Sequence, residues 1–148
     1  MILSKKEVSI TIEIGFSILF AVFFLPYFFE NRLSSFEFVQ DISFLSEVWV
    51  KIIQMIVFSI IYYSISYTLL KIIFKEKNIK DERDDMISSK AYKLGFRLYE
   101  LSLFVLIGIL LSNSSIQNSG AIMFFILVLL LGVLLVKSVY QLYLYRTS

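Results

Sequence analysis

Four long apolar runs, separated by short polar segments, dominate the pattern of side chains along the chain. The runs cover about residues 8–29, 48–74, 96–112 and 121–143. A helix needs about 20 apolar residues, within a range of about 17 to 25, to cross the ~30 Å hydrocarbon layer of a bilayer. Each run reaches that length. The pattern therefore predicts an all-α polytopic membrane protein with four transmembrane helices, in a single domain over residues 1–148.

The first polar segment, residues 36–47, has a helical periodicity of its own. Its apolar residues recur at spacings of four and three positions, at Phe38, Ile42 and Leu45, and acidic residues fall between them. A helix of this kind lies in the membrane interface with its apolar face in the lipid. We therefore predict an amphipathic outer segment at these positions.

The charged connector, residues 75–95, leads into the third run without a break in periodicity. Apolar side chains follow helical spacing from Ile87 through Leu94 to Leu101, and acidic residues precede them, where they favour a helix N-terminus. We expect one long third helix, from about residue 81 to residue 112, whose first half extends into the cytoplasm.

Lysine and arginine are distributed unevenly among the polar segments. Eight of the fourteen lie between Lys71 and Arg97, whereas the first and third loops contain only Arg32. Cytoplasmic segments carry the excess of basic residues, so we expect both termini and the connector to face the cytoplasm, in a multi-pass protein of the inner membrane. The first run lacks a small-residue cleavage site and contains Glu13, which favours a retained helix over a signal peptide.

Composition excludes several kinds of chemistry. Apolar residues make up 58% of the chain, the mean hydropathy is +0.80, and there is no Cys and no His. Zinc sites of the Cys/His type, thiolate nucleophiles and histidine bases are therefore excluded. We predict no catalytic residues, no enzyme activity, no metal and no cofactor. The net charge of +2 gives no reason to expect a duplex nucleic acid as partner.

Glu13 is the one charged residue within the first apolar run. A carboxylate within a span costs about 2.5–3.5 kcal/mol at the bilayer centre, so it usually has a partner or faces water. Lys137 lies at a similar depth in the fourth run, and we predict that Glu13 pairs with Lys137 or, alternatively, with Arg97. Three functions stay open for Glu13: a buried ion pair that fixes helix register, a pore-lining or ion-sensing carboxylate, and a bystander that reaches the interface.

The second run carries hydroxyl groups that are unusual on a surface in contact with lipid. They belong to Ser59, Tyr62, Tyr63 and Ser66. Hydroxyls can line a hydrated pathway, because they replace the hydration shell of an ion without adding fixed charge. They can equally form hydrogen bonds between helices inside a bundle. The sequence leaves both interpretations open.

The connector and the start of the third run carry seven basic residues that could bind an anionic ligand or a partner protein. They are Lys75, Lys77, Lys80, Arg83, Lys90, Lys93 and Arg97. The alternative is that these residues only set the orientation in the membrane. The neighbouring carboxylates, from Asp81 to Asp85, fit helix capping better than a divalent cation site.

The segment DERDDMISSKA, residues 81–91, resembles the pattern D-E-R-D-x-x-I-x-x-K-A. We associate this pattern with uncharacterised small four-span membrane proteins of bacteria and archaea. The match covers about residues 80–108, and the resemblance implies no enzyme activity. In size and layout alone, the chain also resembles small multi-span effectors of bacterial anti-phage (antiviral defence) modules, in which a ligand controls a membrane-permeabilising oligomer.

Two functions are compatible with this pattern. The first is an oligomeric membrane channel or pore-type effector that is gated through the cytoplasmic connector. Such a channel has to be a homo-oligomer, because four short spans cannot both pack a core and enclose a water-filled path. We take a tetramer as the working stoichiometry. The alternative is a non-conducting membrane regulator or accessory subunit that docks a partner protein through the same connector.

Overall fold

The described part of the chain is entirely helical apart from short helix ends. The computed structural model describes residues 4–33, 42–74, 82–112 and 119–147. The four helices in chain order are α1 (Lys5–Glu30), α2 (Ile42–Ile73), α3 (Glu82–Ser112) and α4 (Ser119–Thr147). Each helix is long and apolar enough to cross a membrane. The predicted class, an all-helical chain with four such helices, is confirmed.

The polar segments between the apolar runs are described only in part. α3 continues from Glu82 to Ser112 without interruption, which agrees with one long helix across the end of the connector and the third run. α2 begins at Ile42, so the end of the predicted outer segment belongs to the same helix as the second run. The rest of that segment, residues 36–41, and connector residues 75–81 lie outside the described part of the chain.

α1 begins at a capping box formed by Ser4 and Glu7. The N–H of Glu7 donates to Ser4 Oγ at 3.2 Å, and the N–H of Ser4 donates to the Glu7 carboxylate at 2.8 Å. These bonds satisfy N–H groups that the start of a helix leaves without an intrahelical partner. They also fix the orientation of Glu7, whose second carboxylate oxygen faces α4.

The helices pack side by side in the order α2–α1–α4–α3. α1 packs against both α2 and α4, and α4 packs against both α1 and α3. α2 therefore packs mainly on α1, and α3 mainly on α4. This open arrangement leaves the two outer helices with large exposed apolar surfaces, such as Ile60 on α2 and Phe104 on α3.

The centre of the array is a cluster of aromatic rings. Phe16, Phe20 and Phe24 occupy one face of α1 at helical spacing and are buried between side chains of α2 and α4. Phe58 of α2 lies with its ring centroid 6.1 Å from that of Phe16. Ring pairs at such distances add attraction beyond the burial of apolar area.

One end of the array, which we call the polar end, contains the start of α1, the start of α3 and the end of α4. The 31 residues of α3 extend about 46 Å at 1.5 Å per residue, well beyond a ~30 Å hydrocarbon layer. The first turns of α3 are nevertheless packed, since Ile87 is 1% exposed and Ala91 is 0% exposed. The polar end is therefore a three-helix structure rather than a projecting single helix.

Candidate functional site

An ion pair between a buried lysine and a half-buried glutamate joins α1 and α4 near the polar end. Lys137 Nζ lies 3.1 Å from Glu13 Oε2, and the hydroxyl of Ser138 donates to the same oxygen at 3.1 Å. Lys137 and Ser138 are both buried. The predicted pairing of Glu13 with Lys137 is confirmed. Arg97, the alternative partner, is exposed on α3.

α3 covers the ion pair from the other side. The ammonium group of Lys137 lies 4.8 Å from the centroid of the Tyr92 ring, a geometry in which the ring face attracts the cation. Gly95 permits this close packing, because a Cβ atom there would lie 3.2 Å from Lys137 Cγ. A groove of about 350 Å³ between α3 and α4 opens beside Lys137, with Phe96 and Tyr99 in its wall.

The hydroxyl-bearing side chains of α2 separate into different environments. Tyr62 points to α1, where its hydroxyl donates to the backbone carbonyl of Ile12 at 2.9 Å. Gly15 leaves room for this contact, because a Cβ atom at that position would lie 2.9 Å from the Tyr62 hydroxyl. Of the two interpretations, a hydrated pathway and a hydrogen bond between helices, the structure has the second at Tyr62.

The other three members of that group make no comparable polar contact with α1. The Tyr63 ring packs on Phe16 at 4.7 Å between centroids, and is half-buried. The hydroxyl of Ser59 donates to the Met55 carbonyl of its own helix at 2.8 Å, and Ser66 is half-buried on the same side of α2. Within one copy of the chain, these side chains do not line an open path.

At the polar end, ionic and polar contacts join the three helices in pairs. Lys6 of α1 forms a salt bridge with Asp84 of α3, and Glu7 lies 3.8 Å from Arg146 of α4. Two further contacts join α3 to α4: Arg83 donates to the carbonyl of Tyr145 at 3.3 Å, and Gln141 donates to Ser88 at 3.3 Å. Charged and polar residues at the start of α3 thus hold this helix against the start of α1 and the end of α4.

The connector's remaining basic side chains face away from these contacts. Lys90, Lys93 and Arg97 are exposed on α3, and the aromatic side chains Tyr92 and Phe96 are exposed between them. The first three basic residues of the predicted group, Lys75, Lys77 and Lys80, lie outside the described part of the chain. Among the residues that the structure describes, no three carboxylates lie close enough together to hold a metal ion.

α2 also carries polar side chains on an exposed face, which turns away from α1 except at Gln54, where Phe23 and Phe24 of α1 line the same groove. We call this face the outer stripe; its members recur at alternating spacings of four and three positions and all are exposed: Val50, Gln54, Val57, Ile61, Ser64, Thr68 and Lys71. The Thr68 hydroxyl donates to the Ser64 carbonyl of its own helix at 2.6 Å. Among the described residues, the Gln54 amide has no hydrogen-bond partner.

Three of the residues that build these sites received no role from the sequence. Ser138 follows Lys137 directly, and Gly15 and Gly95 face Tyr62 and Lys137 respectively. Their positions become meaningful only when the facing helix is known. A glycine in a helix otherwise only weakens it, by about 0.5–1 kcal/mol relative to alanine.

Comparison of the chain with models of protein families, with curated proteins and with solved structures gave no match. The resemblance of residues 81–91 to small four-span membrane proteins therefore stays a prediction.

Proposed function

We propose that the protein is a multi-pass protein of the inner membrane whose polar end is a cytoplasmic docking site for a partner protein. In this proposal it regulates or assists that partner and does not itself conduct ions. The cytoplasmic orientation follows from the excess of lysine and arginine at the polar end over the opposite loops.

The observation that carries the proposal is the way in which α3 is held. Asp84, Arg83 and Ser88 bind its first turns to α1 and α4, while Lys90, Lys93 and the residues after them stay exposed on the other side. A docking surface gains affinity when its side chains are already ordered before the partner arrives. The polar end has that property, because its three helices are joined to each other.

The composition of the exposed surface indicates the chemistry of the partner. Lys90 and Lys93 supply positive charge, and Tyr92, Phe96 and Arg97, which lie level with Lys137, continue the exposed surface to the membrane boundary. Aromatic residues and arginine are enriched in protein–protein interfaces, and complementary charge accelerates association. The expected partner is therefore an acidic protein surface that also presents apolar side chains.

The intramembrane polar groups support a non-conducting protein. Glu13 is neutralised by Lys137 and hydrogen-bonded to Ser138, and the Tyr62 hydroxyl is bonded to a backbone carbonyl. Groups that satisfy each other inside one copy are poor substitutes for the hydration shell of an ion. Their arrangement suits a structural part of the bundle better than the lining of a pore.

Charge reversal at the docking surface tests the proposal. The variant K90E/K93E/R97E should lose recovery of its partner from solubilised membranes, and K90R/K93R, which keeps the charge, should retain it. Topology reporters at the C-terminus must give the same result in all variants, because basic residues also set orientation. Unchanged recovery with the charge-reversed chain, or binding to anionic-lipid vesicles alone, would remove the partner protein from the proposal.

A second candidate function is an oligomeric channel or pore-type effector, gated through α3 by an anionic ligand. The observation in its favour is the outer stripe, where Gln54, Ser64 and Thr68 place polar groups on an exposed face of a membrane helix. Copies arranged around that face could enclose a path that one copy cannot. Ion flux into liposomes containing the purified protein, above that of empty liposomes and lost in Q54L, would favour this function over docking.

A further inference from the structure

A groove of about 360 Å³ lies between α1 and α2, at the end of the array opposite the polar end. Its apolar walls are three aromatic side chains, Phe23 and Phe24 of α1 and Phe58 of α2. The ring centroids of Phe23 and Phe58 are 5.8 Å apart. Lys51 and Gln54 of α2 complete the lining, and Phe23 and Gln54 are both exposed, so the groove is open at the side. It therefore combines an aromatic surface with two polar side chains between two candidate membrane spans.

Lys51 has no acidic partner among the described residues. It is half-buried, and its ammonium group lies 5.0 Å from the centroid of the Tyr27 ring. The ion pairs of the described residues do not include it, although Glu47 lies one turn earlier in α2. A ring face attracts a cation but does not neutralise it. A half-buried lysine in a candidate span therefore still favours a negatively charged group from outside the chain.

Gln54 supplies further hydrogen-bond donors, three positions after Lys51 on the same side of α2. Its amide has no hydrogen-bond partner among the described residues. An ammonium group donates up to three hydrogen bonds and a carboxamide nitrogen up to two, so together they can bind the two unesterified oxygens of one phosphodiester.

The depth of these donors is that of a lipid headgroup. Lys51 lies four residues after Glu47, where the candidate span begins, which is about 6 Å along the helix axis at 1.5 Å per residue. A lysine stem at that depth can extend to the level of the headgroup phosphates. The rings of Phe23 and Phe58 lie in the same groove, where an acyl chain can pack along them.

The charge of the groove favours a lipid with a net negative charge. A soluble anion would bind the two donors and leave the aromatic walls without a partner. A zwitterionic phospholipid carries a cation of its own beside the phosphate, and Lys51 repels that cation. An anionic phospholipid has the phosphate and the acyl chain without the second cation.

We propose that this groove is a binding site for one anionic phospholipid. Lys51 and Gln54 bind its phosphate, and Phe23, Phe24 and Phe58 hold one of its acyl chains. The proposal is independent of the docking function, since none of these residues belongs to the polar end.

Tryptophan fluorescence tests the site, because the chain has a single tryptophan, Trp49, which W49F removes. In that background F23W places a reporter in the groove. V22W is the matched control, since Val22 is 63% exposed against 62% for Phe23 and is not part of the lining. Each variant is reconstituted into vesicles of equal parts phosphatidylglycerol and phosphatidylcholine, with one of the two lipids brominated in its acyl chains to quench a neighbouring tryptophan.

The expected result is a local preference for the anionic lipid. Quenching of F23W should correspond to a preference of about five-fold for phosphatidylglycerol, the effect of one basic residue on an anionic lipid, whereas V22W should show no preference. Equal quenching of F23W by the two lipids would overturn the proposal. Protection of F23W from both lipids would mean that protein fills the groove, and would overturn it as well.

Substitutions at the two donors show whether they cause the preference. K51Q should abolish the preference at F23W, and K51R, which keeps the charge, should retain it. K71Q removes the same charge from the last turn of α2 and should leave the preference unchanged. Q54L should lower it less than K51Q, because hydrogen bonds from a neutral donor are weaker than those from a charged one. An undiminished preference in K51Q would overturn the proposal, and one in Q54L would remove the amide from the site.

Discussion

Lys137 and Glu13 are 124 residues apart in sequence, yet their charged atoms lie 3.1 Å apart and join α4 to α1. The hydroxyl of Ser138 completes the coordination of the same carboxylate oxygen. Because both partners lie within candidate membrane spans, each charge offsets the cost of placing the other one there.

The first prediction concerns removal of one partner of this pair. E13Q or K137M alone leaves an uncompensated group in the bundle and should lower the free energy of unfolding by about 3–5 kcal/mol. The double variant E13Q/K137M should lose much less than the sum of the two, since no charge stays unpaired. Unfolding in mild detergent, followed by circular dichroism, measures the coupling. Strictly additive losses would show that the two side chains do not interact.

The second prediction concerns Gly15 and Tyr62. A methyl group at position 15 would lie 2.9 Å from the Tyr62 hydroxyl, so G15A should displace the ring and lose its bond to the Ile12 carbonyl. The lost hydrogen bond costs about 1 kcal/mol of unfolding free energy, and the higher helix propensity of alanine offsets about 0.5–1 kcal/mol of that cost, so G15A alone should not stabilise the protein. In a Y62F background the obstructing oxygen is absent, and G15A should instead stabilise α1 by about 0.5–1 kcal/mol through helix propensity.

Tyr67 provides the control for that experiment. It lies on the same helix, is exposed, and its ring stacks on Tyr63, which a phenylalanine would preserve. Y67F should leave the effect of G15A unchanged. If Y62F and Y67F behaved alike, the contact of Tyr62 with α1 would not be the cause.

The third prediction compares two glycines in candidate membrane-spanning helices. A Cβ atom at Gly95 would lie 3.2 Å from Lys137 Cγ, whereas one at Gly132 meets nothing within 4 Å. Both alanine variants gain helix propensity, about 0.5–1 kcal/mol. G132A should therefore stabilise the protein, and G95A should be less stable than G132A because Lys137 must shift. Equal melting temperatures of the two variants would contradict the close packing of α3 on Lys137.

The fourth prediction concerns the docking of α3 at the polar end. D84N removes the salt bridge with Lys6, and should accelerate amide hydrogen exchange in the first turns of α3 by a few-fold, since exposed ion pairs contribute about 0.2–1 kcal/mol. Asp85 is exposed in the same first turn, so D85N, which removes a charge from the helix N-terminus without breaking the contact with Lys6, is the matched control and should accelerate exchange less than D84N. Raising the salt concentration should reduce the difference between the two variants, because ions screen the pair.

Local features of the sequence determined the helices of this protein. These features are the four apolar runs and the continuous periodicity from Ile87 to Leu101. Each is a pattern over a few helical turns, and such a pattern directly predicts a helix that is buried in lipid or against a neighbouring helix. The sequence also predicted the depth of each residue along its span, which is why Glu13 could be matched to Lys137. Counting residues from one end measures distance along a helix axis.

Only the tertiary structure decided which neighbours the helices have and which face each one presents. The sequence left two interpretations open for Tyr62, a water-filled path and a helix contact; its bond to Ile12 depends on the order α2–α1–α4–α3 and on the space at Gly15. Apolar side chains on all sides of a membrane helix carry little information about its rotation. Rotation and order are set by shape and polar contacts between residues distant in sequence, so they emerge only when the helices pack.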